Sequence, residues 1–251
     1  MKKNYISILF LLFISACVPD PKVAPPIPSE ESMSFDFSFF EQSNKDDGNF
    51  LFASEKVLFW KPFIEDSILL QRNILINALQ NNLEYQKEDT WLSNFSFNLD
   101  ETYLTDFFGV VEVDTVFYKA FLSFDTIKQE TFLDGKAYQD NKMGEWFFNK
   151  LQVEEGELVN SKMMTVLWDI VDSKHIKFTN NQAGENNLNY IYYIDSVDNE
   201  YNAYVDIYDK GNENHSIIQW NKLNKNGRIQ DNLRFNNNDW HYWDNNLQDL
   251  K

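Results

Sequence analysis

The sequence predicts an α+β fold, mainly antiparallel β with sandwich-like sheets, and one packed amphipathic helix at about residues 62–86. Three observations predict it. Apolar and polar residues alternate with a period of two through most of the chain. Asp-Gly and Asn-Gly pairs stand near those runs as hairpin signals, and a single stretch has helical periodicity.

The helical stretch is "PFIEDSILLQRNILINALQNNLEYQ". It spaces Ile64, Ile68, Leu75, Leu79 and Leu83 along one side, with Glu65, Arg72, Asn73, Asn77, Gln80 and Asn81 mostly on the other. Pro62 suits a first helical turn. The apolar stripe is expected to pack on a sheet.

The strand runs come next. "FSFNL" alternates Phe95, Phe97 and Leu99, and "NAYVDIYDK" sets Ala203, Val205 and Ile207 opposite Tyr204, Asp206 and Tyr208. In "GVVEVDTVFYKAFLSF" the pattern places Val111, Val113, Thr115 and Phe117 on one face, with Glu112 and Asp114 on the other. "MTVLWDIV", "LNYIYYI" and "SIIQWNK" add β-branched and aromatic runs. Turns are expected at residues 45–48, 134–135, 209–212 and 225–227.

The chain opens with Lys2 and Lys3, then the uncharged run "YISILFLLFISA", then its only cysteine, Cys17. A membrane span needs about 20 apolar residues, so this run is too short to cross and reads as an export signal. Ile14-Ser15-Ala16-Cys17 resembles the lipobox of bacterial lipoproteins. That resemblance covers residues 1–17 and implies lipidation of the Cys17 thiol, with cleavage just before it. Multiple acyl chains on one residue hold a protein stably to a bilayer. Val18, rather than Asp, follows the cysteine, which tilts the expected location from the cell membrane toward the outer membrane.

Five of the six prolines lie between Pro19 and Pro28. Such a segment favours extended polyproline II, so the expected organisation is a signal peptide at 1–16, a lipidated tether at 17–34, and a body from 35. The body divides at about 160 into a helix-plus-strands region and a β-rich, asparagine-dense region 161–251, or continues as one domain. Residues 134–159, with Gly144-Glu145-Trp146-Phe147-Phe148, are similar to one degenerate MORN-type hairpin unit; no second copy is found.

The formal net charge is −17, and loss of Lys2 and Lys3 with the signal makes the mature chain more negative. That excludes a phosphate-neutralising nucleic-acid binder, which needs Lys and Arg. His175, His215 and His241 lack zinc-site spacing, and no phosphate loop, dinucleotide turn or Gly-x-Ser-x-Gly elbow is present. The absence leans against an enzyme, and no catalytic or metal-binding residue is assigned. No cofactor is expected. The Asp- and Asn-rich loops at 44–49, 195–200 and 209–214 offer oxygens of the kind calcium takes, although hairpin turns account for the same residues.

The ending "DWHYWDNNLQD" supplies the candidate site. In an extended chain Trp240 and Tyr242 point one way, His241 and Trp243 the other. Trp240, Tyr242, Trp243 and Trp220, extended by Tyr204 and Tyr208, are the expected ligand-binding aromatics. Aromatic rings flanked by Asp and Asn suit a glycan. The expected role is non-catalytic: an anchored envelope protein holding a glycan, an envelope polymer or a protein partner. The alternatives are an envelope polysaccharide hydrolase using paired carboxylates, or an accessory subunit of an envelope complex.

Overall fold

A computed structural model of the chain describes residues 22–42, 47–125, 127–138, 140–154, 157–195 and 200–250. Cys17 and the export signal lie outside the described residues. Helices are α1 (Asn49–Leu58), α2 (Lys61–Glu65), α3 (Leu69–Gln80) and α4 (Asn232–Phe235). Strands are β1 (Glu84–Lys87), β2 (Thr90–Asn98), β3 (Thr102–Glu112), β4 (Thr115–Phe124), β5 (Ile127–Tyr138) and β6 (Met143–Glu154). They continue as β7 (Glu157–Asp169), β8 (His175–Asn180), β9 (Tyr190–Ile194), β10 (Ala203–Asp209), β11 (Asn214–Trp220), β12 (Gly227–Asp231) and β13 (His241–Trp243).

The α+β, mainly antiparallel class is what the structure has, in an unusual form. All thirteen described strands belong to one sheet, each paired only with its neighbours in sequence. In place of two facing sheets there is one, about 58 Å across at the usual strand spacing. The second layer is the chain's own N-terminal segment. The sheet passes through residue 160 inside β7 without interruption.

That segment crosses the strands like a strap. Pro25 packs on Gly109 of β3, and the Tyr118 hydroxyl of β4 donates to the Pro26 carbonyl. Trp146 Nε1 of β6 donates to Ser32 Oγ at 3.0 Å. Further along, Phe35 meets Tyr193 of β9 edge-on at 5.1 Å, Phe40 meets Trp220 of β11 at 4.8 Å, and Phe50 of α1 meets Trp243 of β13 at 5.6 Å. The chain then returns through α2 and α3, where Gln71 Nε2 donates to the Asn149 carbonyl of β6 at 3.1 Å.

The expectation of a free tether over 17–34 therefore needs correction for its described part. Residues 22–34 lie against the sheet, with Pro25, Pro28, Ser32 and Met33 buried. The prolines already lack freedom in φ, so laying them down costs little entropy, while the aromatic core face gains cover.

The helix expected over 62–86 comes as α2 and α3, broken at Asp66–Ile68, and ends before β1. Ile64, Ile68 and Leu75 are buried as expected, but beyond the break Ile74 and Ala78 join the inner side and Leu79 turns outward. Helix α1 lies where the sequence analysis assigns none, although Phe50, Ala53, Ser54 and Val57 carry the i, i+3, i+4, i+7 signature. Its N-cap is Gly48, which has no side chain to cap with. The Asp249 carboxylate takes over, accepting from the Asn49 N–H at 2.8 Å across 200 residues of sequence.

Two turn assignments also change. Asp134-Gly135 lies inside β5, because Gly135 is where the Trp146 ring rests: a Cβ there would stand 2.4 Å from Trp146 Cε3. Conversely, Val113 is 93% exposed at φ 58° between β3 and β4, so Glu112 and Asp114 flank a tight turn and do not share a strand face.

The Gly135–Trp146 opposition recurs. Gly144 faces Trp168, Gly227 faces Trp243 and Ala203 faces Trp220, each in direct register on the core face. A small residue on one strand leaves room for a large ring on the next, without any sequence repeat to announce it.

Candidate functional site: the open face of the sheet

Because side chains alternate along each strand, a sheet covered on one face by the strap leaves its other face bare. The registers align that open face into rows. One runs Phe108, Lys119, Asp134, Phe147, Thr165, Thr179, Tyr190, Tyr208, His215 across β3 to β11. The richest part lies on β8–β13.

At its centre Asp206 joins two rings. The Tyr190 hydroxyl donates to Asp206 Oδ2 at 3.0 Å, and His215 Nδ1 lies 2.8 Å from Oδ1. Tyr208 fills the space between, with ring centroids 5.4 Å from Tyr190 and 4.7 Å from His215. Lys177 Nζ stands 3.7 Å from the Tyr190 centroid, a cation–π geometry. Burial and the Asp206 charge push the Tyr190 hydroxyl well above the ordinary phenol range, and burial first, then Asp206, pushes Tyr204 up to about 12. These hydroxyls keep their protons at neutral pH and serve as donors.

Trp240 and Tyr242 form the far end. Arg228 of β12 is opposite Tyr242 in register, its guanidinium 4.2 Å from the Trp240 centroid and 4.6 Å from that of Tyr201. Gln219 Oε1 accepts from Arg228 Nε at 2.7 Å and holds the guanidinium in plane. Tyr242 is 36% exposed, and Trp240 is half-buried.

The structure separates the expected site residues. Trp240 and Tyr242 share the platform with Tyr204 and Tyr208. Trp243 and Trp220, at 0% and 2% exposure, lie on the opposite face under Phe50, Phe39 and Phe40. Those two tryptophans are core and cannot stack on a ligand. Their placement follows from the strand period: Trp220, Gly227 and Trp243 are consecutive in register, and Gly227 provides the gap for the Trp243 indole. Sequence reasoning missed Tyr190, Tyr192, Lys177, His215 and Arg228. The alternation within "LNYIYYI" could have found the tyrosines, since it puts Tyr190 and Tyr192 on one face.

Among the described residues no group of three or more His, Cys, Asp or Glu side chains converges as a metal site, and no helix is long and apolar enough to cross a membrane. Of the Asp- and Asn-rich loops, 209–214 forms the β10–β11 hairpin, where Asp209 Oδ2 accepts from Asn212 Nδ2 at 2.7 Å. Comparison with protein-family models, with curated proteins and with solved structures gave no match.

Proposed function

We propose that this chain is a lipid-anchored envelope protein that binds a glycan or similar envelope polymer, without catalysis, on the open face of its sheet. The observation that carries the reading is the asymmetry of the sheet. Its own N-terminal segment covers one face, while the other presents Tyr190 and Tyr192 of β9, Tyr204 and Tyr208 of β10, Tyr242 of β13, and Trp240 just before β13. Flat rings stack on the apolar faces of sugar rings, and Asp206, Gln219 and Arg228 offer hydrogen bonds between them.

The lipobox-like residues at 14–17 support anchoring through Cys17, in the outer membrane or the cell membrane. The tether is shorter than composition suggests. Lys22 is fixed at the β1–β2 edge by its bond to Asp89 and its place over the Tyr85 ring, 4.8 Å from the centroid. Five residues of chain reach about 18 Å at most. The platform at β8–β13 then lies at the sheet's other end, where a polymer has room to approach.

The test is a glycan panel probed with the full chain and its Trp240→Ala, Tyr242→Ala and Trp240→Ala/Tyr242→Ala variants, with thermal melts alongside. Loss of binding in the double variant, with an unchanged melt, supports the platform. Binding that survives the double variant, or no glycan bound by the parent chain, rejects it.

A further inference from the structure

A second site lies where α1 and α2 meet the loop 181–189, with Tyr208 of the platform at one end of its lining. Two cavities of 280 Å³ and 380 Å³ share Phe59, Trp60, Asn186 and Asn189 and so make one groove. Its two walls differ in chemistry. One is aromatic: Phe59 and Phe63, with Trp60 buried beneath. The other is amide: Asn180, Gln182 and Asn186.

Two features of these walls are unexplained by folding. Phe59, at the end of α1, is 67% exposed, a large apolar ring left in water. Facing it are amides whose donors the fold does not use. Asn180 Oδ1 accepts from the Gln182 N–H at 2.9 Å and Asn186 Oδ1 accepts from Asn189 Nδ2 at 3.2 Å. Among the described residues the Nδ2 groups of both, and the whole side-chain amide of Gln182, have no partner within the protein. An apolar surface opposite uncommitted donors is the arrangement of a small-molecule site.

Charge narrows the ligand. Glu55, Asp66 and Asp209 stand around the groove, and its one lysine, Lys56, is turned to the buried Asp231 carboxylate at 3.5 Å. An anionic ligand meets carboxylates and no available cation. A neutral ring with one apolar face and several hydroxyls satisfies both walls.

We infer that the groove between α1–α2 and the loop 181–189 binds a neutral pyranose, stacked on Phe59 with its hydroxyls on the amides of Gln182 and Asn186. The groove shares Tyr208 with the platform, but the three contacts assigned to the ligand, Phe59, Gln182 and Asn186, lie outside it.

The experiment is calorimetric titration of the full chain in a detergent without a sugar headgroup. Cellotetraose and chitotetraose serve as neutral probes and tetragalacturonate as the anionic comparator. Saturable binding of a neutral probe is expected, weakened about tenfold or more by Phe59→Ala and by Gln182→Ala/Asn186→Ala, with tetragalacturonate much weaker. Phe59 is exposed, so its variant should melt with the parent, and Trp240→Ala should leave this binding unchanged. Failure of both neutral probes to bind, equal binding of tetragalacturonate, or insensitivity to Phe59→Ala overturns the inference. Dependence on Trp240 assigns the binding to the platform and overturns it too, whereas the platform reading fails on its own if the Trp240→Ala/Tyr242→Ala variant still binds its glycan.

Discussion

The indole of Trp243 lies against Gly227, its register partner on β12, so closely that a Cβ on the glycine would stand 2.1 Å from Trp243 Cζ2. Neither residue can change alone. The glycine makes the space, and the ring covers the backbone the glycine would leave bare.

Gly227→Ala should therefore destabilise the fold by about 3 kcal/mol, the upper end of overpacking costs in rigid cores. Gly211→Ala is the control: its Cβ would meet only Asp209 Oδ1, at 3.4 Å, and should change stability by less than about 0.5 kcal/mol. Urea unfolding of the two variants decides, and equal midpoints would refute the account.

Asp231 is fully buried and is held from several directions. Its Oδ1 accepts from the Arg234 N–H at 3.0 Å and Asn214 Nδ2 at 3.2 Å, Ser216 Oγ donates to Oδ2, and Lys56 Nζ lies 3.5 Å away. Asp231→Ala should cost about 3–5 kcal/mol, since it removes an N-cap and strands several donors. Asp231→Asn keeps an oxygen for the cap and should cost clearly less. Chemical denaturation gives both values, and an alanine variant within about 1 kcal/mol of the parent would sink the claim.

Asp134, on the open face, titrates above the ordinary carboxylate range because burial disfavours its charge, with Glu145 adding to the rise and Lys119 and Lys162 opposing it. Between 3.8 and that raised value the folded chain binds more protons than the unfolded chain. Asp134 therefore lowers stability as pH climbs through that window, and the loss is complete above it. Asp134→Asn should be more stable than the parent at pH 7, with the gap closing toward pH 3.8. A gap that stays constant, or widens on acidification, would contradict the assignment.

The short reach from Cys17 to Lys22 makes the proposed anchoring testable by distance. With Cys17 acylated, a cysteine introduced at Glu84 or Asn245 is the only free thiol. A fluorophore at Glu84, on the strand nearest the tether, should be quenched by spin-labelled lipids in vesicles, and one at Asn245 should not. Equal quenching at both positions would argue that the body lies flat or floats.

Much of this was legible in sequence where one rule governs. Period two set Ala203, Val205 and Ile207 on the face opposite Tyr204, Asp206 and Tyr208, and the structure has them so, with the first three buried. It also separated Trp240 and Tyr242 from Trp243. What it could not supply was the partner of each face. Trp243 reads as an exposed platform until Phe50, nearly two hundred residues earlier, is seen resting on it. Asp134-Gly135 reads as a turn because the same pair serves turns and close ring contacts alike, and only the register with Trp146 decides between them. The groove at Phe59 was invisible for a related reason. Its walls come from α1, α2 and a loop more than a hundred residues away, and no local pattern joins them.

The strap carries a consequence for the order of events in biogenesis. Ser32, Phe40 and Phe50 rest on Trp146, Trp220 and Trp243, each of which is synthesised more than a hundred residues after the residue that covers it. Until those later strands form, the apolar side of the strap has nothing to cover and stays exposed. Long-range closure of this kind is slow and exposed to aggregation. The architecture thus ties the solubility of the unfinished chain to how soon its late strands arrive.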